Sequence, residues 1–211
     1  MENIITKNTP FSVYEARIKL LVLHYSLAFE NFASSSLMVI LNLDSESASL
    51  GNTSKALSMN QKVQLMLDTR FFDNYDKENI ITFMSIRNQF MHNSSAKSFE
   101  SCLSFLTGKD TFIKKVYFNE KTTAEKAGGE KAAKWKESEE INDKELLLYD
   151  VNDNEKILFK SWISLAAVVI ESFEKVFIRI SEERKIVNIS GNKSVDLNFP
   201  KSDELENANK N

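Results

Sequence analysis

The stretch FSVYEARIKLLVLHYSLAFENFASSSLMVILN, residues 11–42, decides the fold class of this chain. Apolar side chains recur along it every three or four residues, which is the spacing of one helix face. That face consists of Ile18, Leu21, Val22, Tyr25, Ala28, Phe29 and Phe32. The opposite side is also apolar, with Leu20, Leu23 and Leu27. A helix that is apolar nearly all round is buried at the centre of a bundle or in a subunit interface.

Residues that break helices are rare between the two ends of the chain. The two prolines are Pro10 and Pro200, so nothing between them carries proline's block on helix hydrogen bonding. A second long apolar stripe consists of Leu158, Trp162, Ala166, Val169, Phe173, Val176 and Ile180. The sequence therefore predicts an all-α helical bundle. Two long antiparallel helices, at about 11–42 and 153–183, would frame it, with shorter helices between them.

The segments between the two long helices differ in composition. Shorter helices are predicted at about 58–70, 77–92 and 98–106, with Asp76 as N-cap of the second. Within 108–142, Thr111 to Phe118 favours a short strand or an extended loop, and Lys121 to Glu140 favours a mobile insertion or an exposed helix. The predicted organisation is one helical domain over 1–185, carrying that insertion. A polar, disordered tail over 186–211 would follow.

Composition limits the kind of protein this can be. Hydrophobic residues make up 42% of the 211 residues, which is enough for a sizeable core, and the net charge is −3. An acidic balance argues against a broad basic face for nucleic acid, although a small positive cluster remains compatible with it. One cysteine and two histidines argue against a disulfide or a transition-metal site, so we expect no cofactor and no metal. The absence of a signal pattern and of a long apolar run predicts a cytoplasmic protein with no membrane partner.

In the motif IRNQFMH, residues 86–92, a charged residue interrupts an otherwise apolar helix face. Arg87 falls near the middle of the apolar helix face, where a guanidinium must be paired, solvated in a cleft or held at an interface. Asn88 and His92 are four residues apart and share a face. We predict that these three side chains converge on one anion. Histidine moves protons near neutral pH and arginine binds phosphate with a planar fork, so the set suits phosphodiester cleavage without a metal.

The same residues carry a resemblance to known families. The run from Ile86 to His92, followed by Phe99, resembles the signature of the HEPN superfamily: an arginine, a polar residue, and a histidine after four intervening positions. The wider segment 58–106, in which Lys62 precedes the motif, is similar to the mannitol operon repressor family. The HEPN resemblance implies a helical bundle that forms a homodimer, with two motifs joined in one composite site.

That resemblance also implies an activity. It suggests a metal-independent endoribonuclease of a toxin–antitoxin or phage-defence system, which cuts RNA by attack of the ribose 2′-hydroxyl. His92 would act as general acid or base, Arg87 would stabilise charge on the phosphate, and Asn88 would orient His92 or the phosphate. RNA would be the substrate, and an antitoxin or regulatory protein a partner. The mannitol-repressor resemblance implies instead a non-catalytic transcriptional or regulatory protein that acts through protein contacts.

Purely structural interpretations stand beside these hypotheses. Arg87 could pair with a buried carboxylate, such as Glu30 or Glu171, while His92 merely ends its helix. His24 is expected to be a core or interface histidine. Cys102 is expected to be a small apolar filler of the core.

Overall fold

A computed structural model describes residues 12–43, 47–51 and 54–190, with side chains described as far as residue 183. Over those ranges every regular element is an α-helix, which confirms the predicted fold class. The helices are α1 (Val13–Leu41), α2 (Met59–Leu67), α3 (Asn74–His92), α4 (Phe99–Leu103), α5 (Lys109–Ala127), α6 (Gly129–Leu146) and α7 (Asp153–Ser190).

The first long segment is a single helix with a defined start and end. The Ser12 hydroxyl caps α1 by accepting a hydrogen bond from the N–H of Glu15 at 3.0 Å. The helix ends at Asn42, whose φ of 54° lies in the left-handed region that asparagine tolerates better than most residues. The predicted inward face is confirmed at Ile18 and Phe29, which are fully buried.

The core is built from aromatic side chains of several helices. Trp162 of α7 stacks against Phe83 of α3 at 5.8 Å between ring centroids and lies 5.6 Å from Phe99 of α4. Phe29 of α1 packs against Phe173 at 4.7 Å. Large aromatic groups in edge and offset contact contribute strongly to such a core. All seven residues of the predicted α7 stripe are buried, as expected.

The relative direction of the two long helices was predicted wrongly. Three contacts advance along both helices in the same sense: Tyr14 with Glu155, Tyr25 with Trp162, and Phe29 with Phe173. Helices α1 and α7 are therefore parallel. The physical reason is α3, which runs back between them: its first turn meets Ser172 through Asp76, and its middle meets Trp162 through Phe83. Helix α3 thus carries the chain back to the end of the bundle where α1 begins, and α7 starts from that same end.

Residues 109–127 are helical, so the strand or extended loop predicted over 111–118 is wrong. The apolar side chains there sit at helical spacing and pack against the core: Ile113, Val116, Tyr117 and Ala124. Gly128, with φ of 65°, lets the chain turn into α6, a conformation that glycine adopts without steric penalty. Most of α6 is exposed, although Trp135 packs on Tyr117 at 5.7 Å. The Lys121–Glu140 stretch is thus helical apart from this turn.

Several helix boundaries also differ from those predicted: α2 and α4 each end three residues earlier than expected, and α3 begins three residues earlier. Asp73, rather than Asp76, is the N-cap of α3, because its carboxylate accepts a hydrogen bond from the N–H of Asp76 at 2.8 Å. Helix α7 continues to Ser190, so the first residues of the predicted tail are helical. The remainder of that tail, 191–211, lies outside the described residues.

Candidate functional site

The motif occupies the last two turns of α3, and its apolar members fix it in the bundle. Ile86 is fully buried, and its carbonyl accepts a weak hydrogen bond from the Cys102 thiol at 3.8 Å. Phe90 is buried and packs edge-on against Phe99 at 5.2 Å. Since Phe99 in turn contacts Trp162, the end of α3 is tied to the centre of the core. The polar members of the motif are therefore presented from a rigid element.

Arg87 is half-buried and nearly without partners. Its Nη1 donates to Asn88 Oδ1 at 3.0 Å, which is a contact with its own neighbour. Its Nε is buried and has no hydrogen-bond partner within the part of the chain that the structure describes. Among the residues that the structure describes, no carboxylate lies within ion-pairing distance of this guanidinium. A shielded cation with unsatisfied N–H donors is suited to an anion supplied from outside the chain.

The two carboxylates considered as partners of Arg87 are both engaged elsewhere. Glu30 accepts a hydrogen bond from Lys62 Nζ at 2.9 Å, and Glu171 pairs with Lys175 one helical turn away at 2.8 Å. The structural interpretation in which either of them neutralises Arg87 is therefore wrong.

Asn88 connects Arg87 to a groove between α2 and α3. Its Oδ1 faces the guanidinium, and the residue also lines a cavity of about 210 Å³. Three of the cavity's apolar lining residues, Val63, Leu67 and Met84, are buried, whereas Ile81 is exposed. The lining residues are Asn60, Val63, Gln64, Leu67, Ile81, Met84, Ser85 and Asn88. A larger cavity of about 350 Å³ lies against α4, α5 and α7, and none of its lining residues belongs to the motif.

His92 is the last residue of α3 and is exposed to solvent. Its imidazole makes no hydrogen bond to a described residue, and Asn93 caps the helix end through its N–H to the carbonyl of Gln89. The structure thus joins Arg87 and Asn88 by a hydrogen bond, whereas His92 makes no hydrogen bond to either of them. The predicted convergence of all three side chains on one anion stays a prediction.

Three further charged residues are buried: Glu15, Lys62 and Glu155. Glu15 pairs with Lys19 at 2.8 Å. Of the three, only Lys62 was named from the sequence, as part of a family resemblance. Lys62 has only 1% of its surface exposed and contacts Glu30, which is 29% exposed. Glu155 is 3% exposed. Lys62 and Glu155 each sit in an apolar stripe at helical spacing, Lys62 between Met59 and Met66, as Arg87 does on α3. The pattern that singled out Arg87 would have found them too.

Glu155 accepts three hydrogen bonds, from the Tyr14 hydroxyl at 2.8 Å and from the N–H groups of Phe99 at 2.7 Å and Glu100 at 2.8 Å. Burial raises the pKa of Glu155, against the opposing effect of these donors. Burial and the adjacent carboxylate also raise the pKa of Tyr14, so its hydroxyl remains a donor. This group joins three helices but does not contact the motif.

The remaining candidates have simpler surroundings. Cys102 is fully buried, as expected for a core filler, and burial raises the pKa of its thiol to about 12. His24 is exposed beside Tyr25, so the core interpretation of this histidine is wrong, and the interface interpretation stays a prediction. Over the described ranges, no three His, Cys, Asp or Glu side chains are placed to hold a metal ion. Nor does any described helix have the length and apolar character to span a bilayer.

Comparison with known proteins adds no relative. No protein-family model, curated protein or solved structure matches this chain. The likeness to HEPN proteins and to the mannitol operon repressor therefore depends on the motif residues and their helical setting.

Proposed function

We propose that this chain is a HEPN-like RNA-binding protein and a metal-independent endoribonuclease, acting in a toxin–antitoxin or phage-defence system. The observation that carries the proposal is Arg87, a half-buried guanidinium that no described carboxylate neutralises, fixed at the end of a core helix beside Asn88. Arginine stays charged and matches the geometry of a phosphate oxygen pair. A rigidly held donor acts more strongly in a partly dry site than it would in water.

In the proposed reaction, His92 and Arg87 each act on particular oxygen atoms of the RNA. His92 removes the proton of the ribose 2′-hydroxyl, and that oxygen attacks the phosphorus. The bond from phosphorus to the 5′-oxygen breaks, and the leaving oxygen takes up a proton from an imidazolium or water. Arg87 donates to the non-bridging oxygens as their negative charge grows. The products are a 2′,3′-cyclic phosphate and a 5′-hydroxyl.

The separation of His92 from Arg87 supports a composite site. The two residues are five positions apart on one helix, so they are displaced by about 7.5 Å along its axis and lie on different sides of it. Within the proposal, a homodimer supplies His92 from one copy to the Arg87–Asn88 pair of the other. The groove beside Asn88, which Asn60 and Gln64 also line, would then receive a base of the same RNA.

The test is cleavage of mixed RNA by the purified protein in the presence of EDTA, with chemical analysis of the ends. We expect cyclic phosphate ends for the wild type. Because a single preorganised donor contributes on the order of 100-fold or more, Arg87→Ala and His92→Ala should each lose at least that much rate. Lys97→Ala removes an exposed positive charge close to the motif and serves as the matched control, with activity unchanged. Absence of cleavage by folded, inhibitor-free wild type on every RNA class would refute the nuclease.

A second candidate is a non-catalytic regulator that acts through protein contacts. The observation in its favour is that α1 exposes several leucines in a single copy of the chain. In that case His92→Ala would alter the melting temperature or the sedimenting mass rather than any chemistry. An unchanged melt and mass combined with lost cleavage would exclude this alternative.

A further inference from the structure

Helix α1 has a second apolar face that does not contact the core. Val13 is 77% exposed, Leu20 59%, Leu23 40% and Leu27 54%. Val13, Leu20 and Leu27 are seven residues apart, and Leu23 lies three residues after Leu20. This is the a and d pattern of a helix that packs along a narrow seam against another helix. The apolar pattern predicts that this side of α1 is covered, but within one copy of the chain it is exposed.

The C-terminal end of α6 lies beside this exposed face of α1. Arg17 forms a bidentate salt bridge with Glu145, in which Nη2 donates to Oε2 at 3.1 Å. On α1, Arg17 lies between Val13 and Leu20. Tyr14 packs on Tyr149 at 5.1 Å, just beyond the end of α6. The large apolar side chains exposed around this junction are Ile141, Leu147 and Leu148. The two helices therefore present one continuous surface, here named the α1–α6 patch: Val13, Leu20, Leu23, Leu27, Ile141, Leu147 and Leu148.

The size of the α1–α6 patch matches a stable interface. Its seven side chains together expose on the order of 800 Å², which is about what each partner buries in a standard-size complex. Isolated exposed leucines are ordinary on protein surfaces, but a contiguous patch of this extent marks an interaction site. Burial of this area would strongly favour association.

We propose that a second copy of this chain covers the α1–α6 patch, with two α1 helices packed side by side about a two-fold axis. A seam with a seven-residue repeat is complementary to itself, because the side chains of one helix fit the spaces of an identical one. Arg17 and Glu145, which lie beside the apolar side chains of the patch, neutralise each other. The seam ends at Glu30, whose carboxylate is turned to Lys62.

This inference is independent of the proposed function, because the α1–α6 patch lies on the side of α1 opposite to the one that packs on α3. Its test measures mass rather than cleavage. A dimer without RNA cleavage would uphold the surface and refute the nuclease. RNA cleavage by a strictly monomeric protein would refute the proposed surface and uphold the nuclease.

The experiment is sedimentation equilibrium of the full chain across the micromolar range. We expect twice the chain mass of 24.1 kDa for the wild type. The double variant Leu20→Glu with Leu27→Glu should weaken self-association by about 100-fold or more, since it places unpaired carboxylates in the seam. Ile178→Glu, at a comparably exposed position on α7, is the control and should leave the dimer intact. Both variants should melt close to the wild type, because all three positions are exposed.

Crosslinking makes the test specific to the seam. Cys102 is the sole cysteine and is buried, so Leu20→Cys introduces one accessible thiol. Oxidation should give a disulfide-linked dimer for Leu20→Cys and not for Ile178→Cys. A monomeric wild type would overturn the proposal, as would an undiminished dimer in the glutamate variant. Binding of a monomeric wild type to lipid vesicles, abolished by the same glutamates, would reassign the patch to a membrane surface.

Discussion

Removal of the Glu155 carboxylate should destabilise the end of the bundle where α1, α4 and α7 meet. Glu155→Ala deletes the acceptor of three hydrogen bonds of 2.7–2.8 Å. The N–H of Phe99 is buried and cannot recover its loss with water, whereas the donors on Tyr14 and Glu100 are only part-buried. The loss in free energy of unfolding can therefore be estimated separately for each of the three donors.

The magnitude follows from those environments. An unsatisfied buried donor costs about 1–3 kcal/mol, and a hydrogen bond to a charged group contributes about 1.5–3 kcal/mol. With two of the three donors partly hydrated, we expect Glu155→Ala to lower the free energy of unfolding by about 3–5 kcal/mol. Tyr14→Phe removes one donor together with its requirement for an acceptor, and should cost about 1–2 kcal/mol. Glu155→Gln should fall between them, because its amide group faces donors.

The pH dependence has a defined sign. Burial raises the pKa of Glu155 above its ordinary value of 4.5, so the folded state holds this proton more tightly than the unfolded chain does. The corresponding stability is fully present below pH 4.5 and is lost as the pH rises through the folded pKa. The difference in unfolding free energy between wild type and Glu155→Gln should therefore shrink as the pH rises through that window.

Urea denaturation followed by far-ultraviolet circular dichroism measures these quantities, provided that the denaturant slopes agree among variants. Lys156→Ala, which alters the neighbouring surface residue, is the control and should stay within about 0.5 kcal/mol of wild type. A Glu155→Ala protein within about 1 kcal/mol of wild type would refute the assigned network. A Glu155→Gln difference that grows with rising pH would refute the assigned direction of the pKa shift.

Two other predictions concern buried groups. Glu30→Ala should cost more stability than Lys62→Met, roughly 3–5 kcal/mol against less than about 2, because the first leaves a buried ammonium unpaired and the second leaves a carboxylate that water reaches. Chemical denaturation of both variants checks the order, and equal losses would contradict it. Cys102, with its pKa raised to about 12, should resist a thiol reagent at pH 8 until the protein is unfolded. Rapid labelling of the native protein would show that the thiol is accessible.

The sequence determined which faces of the helices are buried. Side-chain direction along a helix follows from the 3.6-residue repeat, so the stripe from Leu158 to Ile180 was predictable residue by residue. The same repeat placed Arg87 among apolar neighbours, and it would have placed Lys62 and Glu155 there. The error over Thr111–Phe118 arose because a short apolar run fits a strand and a helix equally well, and packing against α7 settles which one forms.

Tertiary structure alone decided which partners those faces meet. Glu30 pairs with Lys62, 32 positions away, and Tyr14 with Glu155, 141 positions away, and no local pattern encodes either choice. The parallel course of α1 and α7 likewise depends on how the chain returns through α3. Arg87 is the clearest case: its place on an apolar face was readable from the sequence. That neither Glu30 nor Glu171 neutralises it became visible only when the bundle placed both carboxylates against lysines.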